Sequence, residues 1–477
     1  MSAKTAHTSR PWRENIEAIT MAIVVAILLK YFIVEAYKIP TGSMQPTLMG
    51  NTDTGIFDRV LVDKLSYHYR DPERWEVAVF KYPLNRTKNF IKRIVGMPGE
   101  ELMIRHGDLW TRTPGEGEWT ILRRPRPVQL EVWKELETAR NWKPSPGTSG
   151  WSLSENGLRA RGNGSMRFPR DGSAIMDNYT DGYPGDTPSK IRHRPGRSGQ
   201  HAVGDLRLAG TLTALPGLEE LVLEFKEGRR SYRFSLPGPA ADPQATARVS
   251  ATLGTGQVDL LEASGRFPFR LAAGEAVEID AQNMDDLLSL RVAGDVLLEL
   301  EIAPATHQAA SIAIHALGEN GADSADSANG SGADLDELRV FRDIYYLSDN
   351  VKVWNWPIPE GHYVVLGDNT QDSADSREWT FARYEVRPEV GSDEVQVLRG
   401  DYRPRENPIV LPGGEDGPQI FLRDEWGELH TFPGRLARKL APTQTSLVPR
   451  ELVVGRAVLV FWPMAPSLSV YRMHWVH

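Results

Sequence analysis

Ser43 lies in the stretch Lys38-Ile39-Pro40-Thr41-Gly42-Ser43-Met44-Gln45-Pro46-Thr47-Leu48. The two prolines remove backbone donors and disfavour helix in the residues before them, and Gly42 lets the chain approach another group closely. The segment is therefore stiff, extended and presents one hydroxyl. An ordinary turn has the same composition. A serine becomes a nucleophile only when something takes its proton, and with no cysteine in the chain a thiol nucleophile, a disulfide framework and a thiolate zinc site are excluded.

A base without histidine requires a neutral lysine, and so a lysine in an apolar setting. In Asn89-Phe90-Ile91-Lys92-Arg93-Ile94-Val95-Gly96-Met97-Pro98-Gly99-Glu100, a strand puts residues 90, 92 and 94 on one face. Lys92 then stands between Phe90 and Ile94. Arg93 cannot serve, because a guanidinium does not lose its proton. Lys64, Lys81 and Lys88 compete with Lys92, and the residue pattern alone does not rank them. A third polar stretch is Gly367-Asp368-Asn369-Thr370-Gln371-Asp372-Ser373-Ala374-Asp375-Ser376-Arg377, which by itself reads as a polar turn.

These three stretches, in this order and behind an apolar N-terminal segment, resemble the bacterial type I signal peptidases, membrane-anchored Ser/Lys proteases that remove signal peptides from exported proteins. The resemblance covers about residues 15–100, 350–380 and 447–462, the last through Val448-Pro449 and Val454-Gly455-Arg456-Ala457. It implies Ser43 as the acylated nucleophile and Lys92 as general base and then general acid. It also implies the Ser43 N–H and the Thr41 hydroxyl as oxyanion donors, Ser373 as the residue orienting the lysine, and Asp375 with Arg377 as a supporting pair. Shallow pockets near Met44 and Ile91 would accept small side chains one and three residues before the cut. No metal or other cofactor is implied, and the scattered histidines form no metal-ligand spacing. The family pattern has Gly-Asp where Phe57-Asp58 and Trp75-Glu76 stand here, and Arg where Thr370 stands.

Lys4, Arg10 and Arg13 precede an apolar run from Ala18 that continues past Lys30 to Val34. About 19 helical residues reach roughly 28 Å, enough for a hydrocarbon core. The spacing predicts a transmembrane anchor over 16–37, with residues 1–15 cytoplasmic and the remainder outside a cell membrane. A cleavable signal peptide is the alternative. Short β-branched runs at Asp58–Leu65, Val77–Pro83 and Phe90–Val95 read as an antiparallel unit.

The expected organisation is a mainly β catalytic core in three parts, 38–110, 346–380 and 447–477, interrupted by insertions at 111–345 and 381–446. Short alternating runs from Asp205 to Arg342 predict a β-sandwich, which looks like the laminin-G/concanavalin type, and the Ala-Asp-Ser repeats of 318–334 predict a flexible tether. No chemistry is assigned to 381–446.

A net charge of -8 argues against a nucleic-acid partner. The expected partners are preprotein signal peptides and the lipid bilayer, with an unidentified ligand for the sandwich left open. Two other readings compete: a self-cleaving regulatory Ser/Lys protease, and a surface binding protein in which the peptidase core is only a scaffold.

Overall fold

The computed structural model describes residues 11–51, 56–136, 138, 140–155, 157–178, 199–253, 260–318, 330–349, 351–413, 417–462, 464–465 and 470–477. The chain divides into two compact units, one of residues 1–101, 351–368 and 372–477, the other of 102–350 and 369–371.

The first unit opens with a helix, Pro11–Phe32. Among the described residues no helix is long and apolar enough to cross a membrane. The end of the expected anchor is also not helical: Val34–Lys38 is a strand, pairing antiparallel with Arg59–Asp63 from Val34↔Asp63 to Lys38↔Arg59. A cross-strand partner satisfies this backbone in the sheet, so the helix ends before it.

The sheet that follows runs in the order Val34–Lys38, Arg59–Asp63, Val453–Trp462, Val77–Tyr82, Asn85–Gly96, His362–Leu366, Val448–Pro449, and His474–Trp475 adds to the Val453–Trp462 strand. Strands from three distant parts of the chain thus meet in one sheet. Val453–Trp462 lies near its middle, between Arg59–Asp63 and Val77–Tyr82. Both faces are covered. Ala78, Phe80, Ile94 and Val365 pack on one side with Trp379, and Val60, Val62, Val77 and Val79 pack on the other with Met44 and Leu48. The period of two along Val77–Phe80 sends alternate side chains to opposite cores.

Residues 380–444 carry two small sheets, Thr380–Val386 with Gln396–Asp401, Ala437–Lys439 and Thr443–Gln444, and Ile409–Leu411 with Gln419–Arg423 and Leu429–Pro433. Their core is Ala382, Tyr384, Leu398, Ile420, Leu422 and Phe432.

The second unit is a β-sandwich. One sheet includes Leu158–Arg161, Gly332–Arg342, Leu206–Ala214, Ala276–Met284, Leu287–Val292 and Asp295–Glu301, and the other includes Gly164–Phe168, Ala310–Gly318, Leu218–Glu227, Arg230–Pro237 and Arg248–Thr252. Inward residues of both sheets, such as Leu208, Ile279, Leu290 and Val340 from one and Leu223, Phe234, Val249 and Ile314 from the other, share one core. The tether expected over 318–334 is shorter at both ends. Gly318 closes one strand and Gly332–Asp334 opens another, because Ala333 and Leu335 are buried and Asp334 pairs with Arg161 at 2.5 Å. Residues 319–329 lie outside the described residues.

Candidate active site

The loop carrying Ser43 folds tightly on itself. The Gln45 N–H donates to Gly42 O at 3.1 Å, the Leu48 N–H to Met44 O at 2.9 Å, and the Gln45 side-chain amide to Gly50 O at 2.9 Å. Met44 and Leu48, without exposed surface, fasten the loop to the core. At Gly50 a Cβ would stand 2.4 Å from Ile39 O and 2.6 Å from Thr41 O, so only glycine lets the loop close there. Asp58, in the departure from the family pattern, secures the exit by accepting the Met49 N–H at 2.7 Å and Arg472 Nε at 3.0 Å. Burial pushes its carboxyl up to about 6, against the lowering pull of Arg472.

Lys92 comes from the Asn85–Gly96 strand, opposite Ala78. Its Nζ lies 2.6 Å from Ser43 Oγ and donates to Ile91 O at 2.9 Å. Ser43 is 8% and Lys92 4% exposed. Desolvation disfavours the ammonium and brings the amine down to about 8, helped by Arg377 and opposed by Asp375 and Asp368. Of the competing lysines, Lys64 lies 3.4 Å from Glu35, and Lys81 and Lys88 are exposed.

Asp375 and Arg377 form a buried two-pronged pair, Nε to Oδ1 at 2.8 Å and Nη2 to Oδ2 at 2.7 Å. Asp375 also accepts the Gly367 N–H at 3.0 Å. Burial would raise its carboxyl, but Arg377 and these hydrogen bonds outweigh it and keep the group below its ordinary range. Ser373 sits beside Gly367, where a Cβ would come within 2.2 Å of Ser373 Oγ and 2.4 Å of Ser43 O. Its side chain is close enough to Asp375 to help keep that carboxyl low, yet its Oγ has no hydrogen-bond partner of acceptable geometry. The contact to Lys92 implied by the resemblance is not made in this conformation. Thr41 is exposed two residues before Ser43, and Met44 offers no surface to a substrate while Ile91 is half-buried over the same core.

The sequence reading passed over a second buried pair. Arg93 Nε and Nη2 donate to Asp368 Oδ1 and Oδ2 at 2.9 and 2.8 Å, Thr47 Oγ1 donates to Asp368 Oδ2 at 2.6 Å, and Arg93 Nη1 reaches Trp75 O at 2.8 Å. This network ties the serine loop, the lysine strand and the third polar stretch together. A signal was available, since an arginine beside Lys92 in an apolar strand needs a carboxylate, and Asp368 stood in the third stretch.

The model of the family described as "Signal peptidase, peptidase S26" matches residues 12–113 and 339–386. Both segments carrying Ser43, Lys92, Asp368 and Asp375 fall inside it. The chain carries a peptidase S26 region, split by insertions. Curated relatives of this signal-peptidase-like chain include the "Probable signal peptidase I-2" of Synechocystis sp., 40% identical over 21% of this chain and 45% of that protein. Others are the "Signal peptidase I" of Leptolyngbya laminosa, 37% identical over 20% and 48%, and that of Pseudomonas fluorescens, 41% identical over 16% and 30%. The chain thus spans about half the length, or less, of these relatives. Among solved structures, the carbohydrate recognition domain of Emp46p is 12% identical over 43% of this chain and 90% of that one, with a TM-score of 0.27. A likeness that low identifies no ligand for the sandwich.

Proposed function

We propose that this chain is a membrane-bound serine endopeptidase that removes signal peptides from exported preproteins. The observation that carries the reading is the 2.6 Å approach of a buried, easily deprotonated Lys92 to Ser43 Oγ. Neutral Lys92 takes the Ser43 proton as Oγ attacks the scissile carbonyl, giving a tetrahedral oxyanion that collapses to the Ser43 ester as the C–N bond breaks. The resulting ammonium then gives its proton to the leaving amine. Lys92 next activates the water that hydrolyses the ester. The Ser43 N–H and the Thr41 hydroxyl stabilise the oxyanion, Asp375 and Arg377 hold the 367–377 loop, and a rotation of Ser373 would bring its hydroxyl onto Lys92. Small side chains of the preprotein would enter by the Ile91 side of the Met44 core.

For the membrane, the reading rests on the Pro11–Phe32 helix. Ile16, Ile19, Ile23, Val24, Val25, Ile27 and Leu28 are about half exposed around it, and covering what remains of each gains about 1 kcal/mol. A lipid bilayer is the fitting cover for these side chains, and the proposed topology, residues 1–15 cytoplasmic and the peptidase outside, rests on Lys4, Arg10 and Arg13 before the apolar run of the sequence.

Cleavage of a preprotein with an Ala-x-Ala site in vesicles tests this reading. Wild type should release the mature protein, and Ser43→Ala and Lys92→Met should release none while keeping their fold. An inert wild type, or full activity in either variant, would overturn it.

A further inference from the structure

At one end of the larger sandwich sheet three neighbouring strands bring carboxylates together. Asp205 immediately precedes Leu206–Ala214, Asp343 immediately follows Gly332–Arg342, and Asp285 lies in the hairpin turn between Ala276–Met284 and Leu287–Val292. One ligand oxygen from each lies within 4.8 Å of the other two. All three residues are at most 5% exposed. The arrangement is held by the backbone: the Asp343 N–H donates to Asp205 O at 3.0 Å and the Asp285 N–H to Asp205 Oδ2 at 2.7 Å.

The hydrogen bonding leaves oxygens over. Asp285 Oδ2 and Asp343 Oδ1 are buried without a hydrogen-bond partner, and so is the amide oxygen of Asn283, whose Nδ2 donates to Asp205 Oδ1 at 3.2 Å. Asp285 Oδ2 is turned into the cluster, 3.9 Å from Arg124 Nη2. Arg124 bonds the opposite oxygen of Asp343, Oδ2. One guanidinium is shared by two of the three carboxylates, hydrogen-bonded to Asp343 and more distant from Asp285, and buried oxygens left without a hydrogen bond are costly.

The geometry points to a binding site for one hard divalent cation, calcium in preference to magnesium, formed by Asp205, Asp285 and Asp343 with Asn283. Every donor is an oxygen, the set hard cations take. Three oxygens within 4.8 Å of one another need at most a small inward turn to share one ion at about 2.4 Å, the calcium distance. Magnesium keeps several waters and ideal octahedral geometry, which a buried turn does not offer. Arg124 can stay on Asp343 Oδ2 while Oδ1 turns to the ion. The neighbouring His307 is outside the set: its Nδ1 accepts the Gly204 N–H at 2.7 Å, which leaves the proton on Nε2, facing Asp108 Oδ1 at 3.4 Å.

Equilibrium dialysis of the full chain in detergent against radioactive Ca2+ is the test. Wild type should bind one ion saturably below about 1 mM, the weak end of protein calcium sites, with a higher melting temperature in Ca2+ than in chelator. Asp285→Asn and Asn283→Ala should each weaken binding by at least about tenfold. If Asp285→Asn does not fold, Asn283→Ala keeps the cluster's charge and decides the matter. No saturable Ca2+ on wild type, showing that protons neutralise the cluster, or equal binding in the folded variants, would overturn the proposal.

Discussion

Lys92 is asked to be neutral in a place where water would have kept it charged. Its amine titrates at about 8 against an ordinary 10.5, so the reactive form grows as pH rises. On a preprotein substrate kcat/KM should climb about tenfold per pH unit below 8 and level above it; a profile flat from pH 6 to 9 would contradict a lysine base. The same shift has a cost in stability. The folded pKa is depressed, so the unfolded chain binds the extra proton, and the penalty is full below pH 8 and fades as pH rises from 8 to 10.5. It amounts to about 3 kcal/mol. Lys92→Met should therefore abolish cleavage yet raise the denaturation midpoint at pH 7, and a lower midpoint would show that the amine's contacts matter more than its desolvation.

At the level of elements, three segments that meet only in the folded chain make the site, and the Arg93–Asp368 pair joins them. Asp368→Asn leaves the Arg93 guanidinium buried with its carboxylate lost, which should cost about 3–5 kcal/mol by urea unfolding; a loss under about 1 kcal/mol would mean the pair is not a tie. The strands around Val60, Val79 and Ile94 were legible because β-branched runs bounded by Pro, Asn and Asp leave little choice. Ser43 and Lys92 were legible through motif resemblance, and their approach was not, since nothing in a strand pattern measures a distance. The start of the strand Val34–Lys38, residues 34–37, was counted with the anchor because it follows the apolar run directly, and a short segment beside such a run does not reveal its own boundary. Asp368 was passed over because the Gly-Asp-Asn context suits a turn equally well.

For the whole molecule, the insertion has a core of its own, running from Trp142 to Val340, while the peptidase unit is built from chain segments on both sides of it. A fragment of residues 102–350 should unfold in one cooperative transition with near-ultraviolet dichroism; a gradual transition would mean that the sandwich depends on the rest of the chain. The sandwich was legible from its alternating strands, whereas its acidic sheet end was not, because Asp205, Asp285 and Asp343 are far apart until the strands pair. The most direct measurement for the peptidase is the mass of the intact protein, quenched just after mixing with an Ala-x-Ala peptide ester. Wild type should gain the acyl group on Ser43, Ser43→Ala should gain none, and Lys92→Met should acylate at least about a hundredfold more slowly. An adduct on another residue, or equal acylation in Lys92→Met, would contradict a serine activated by this lysine.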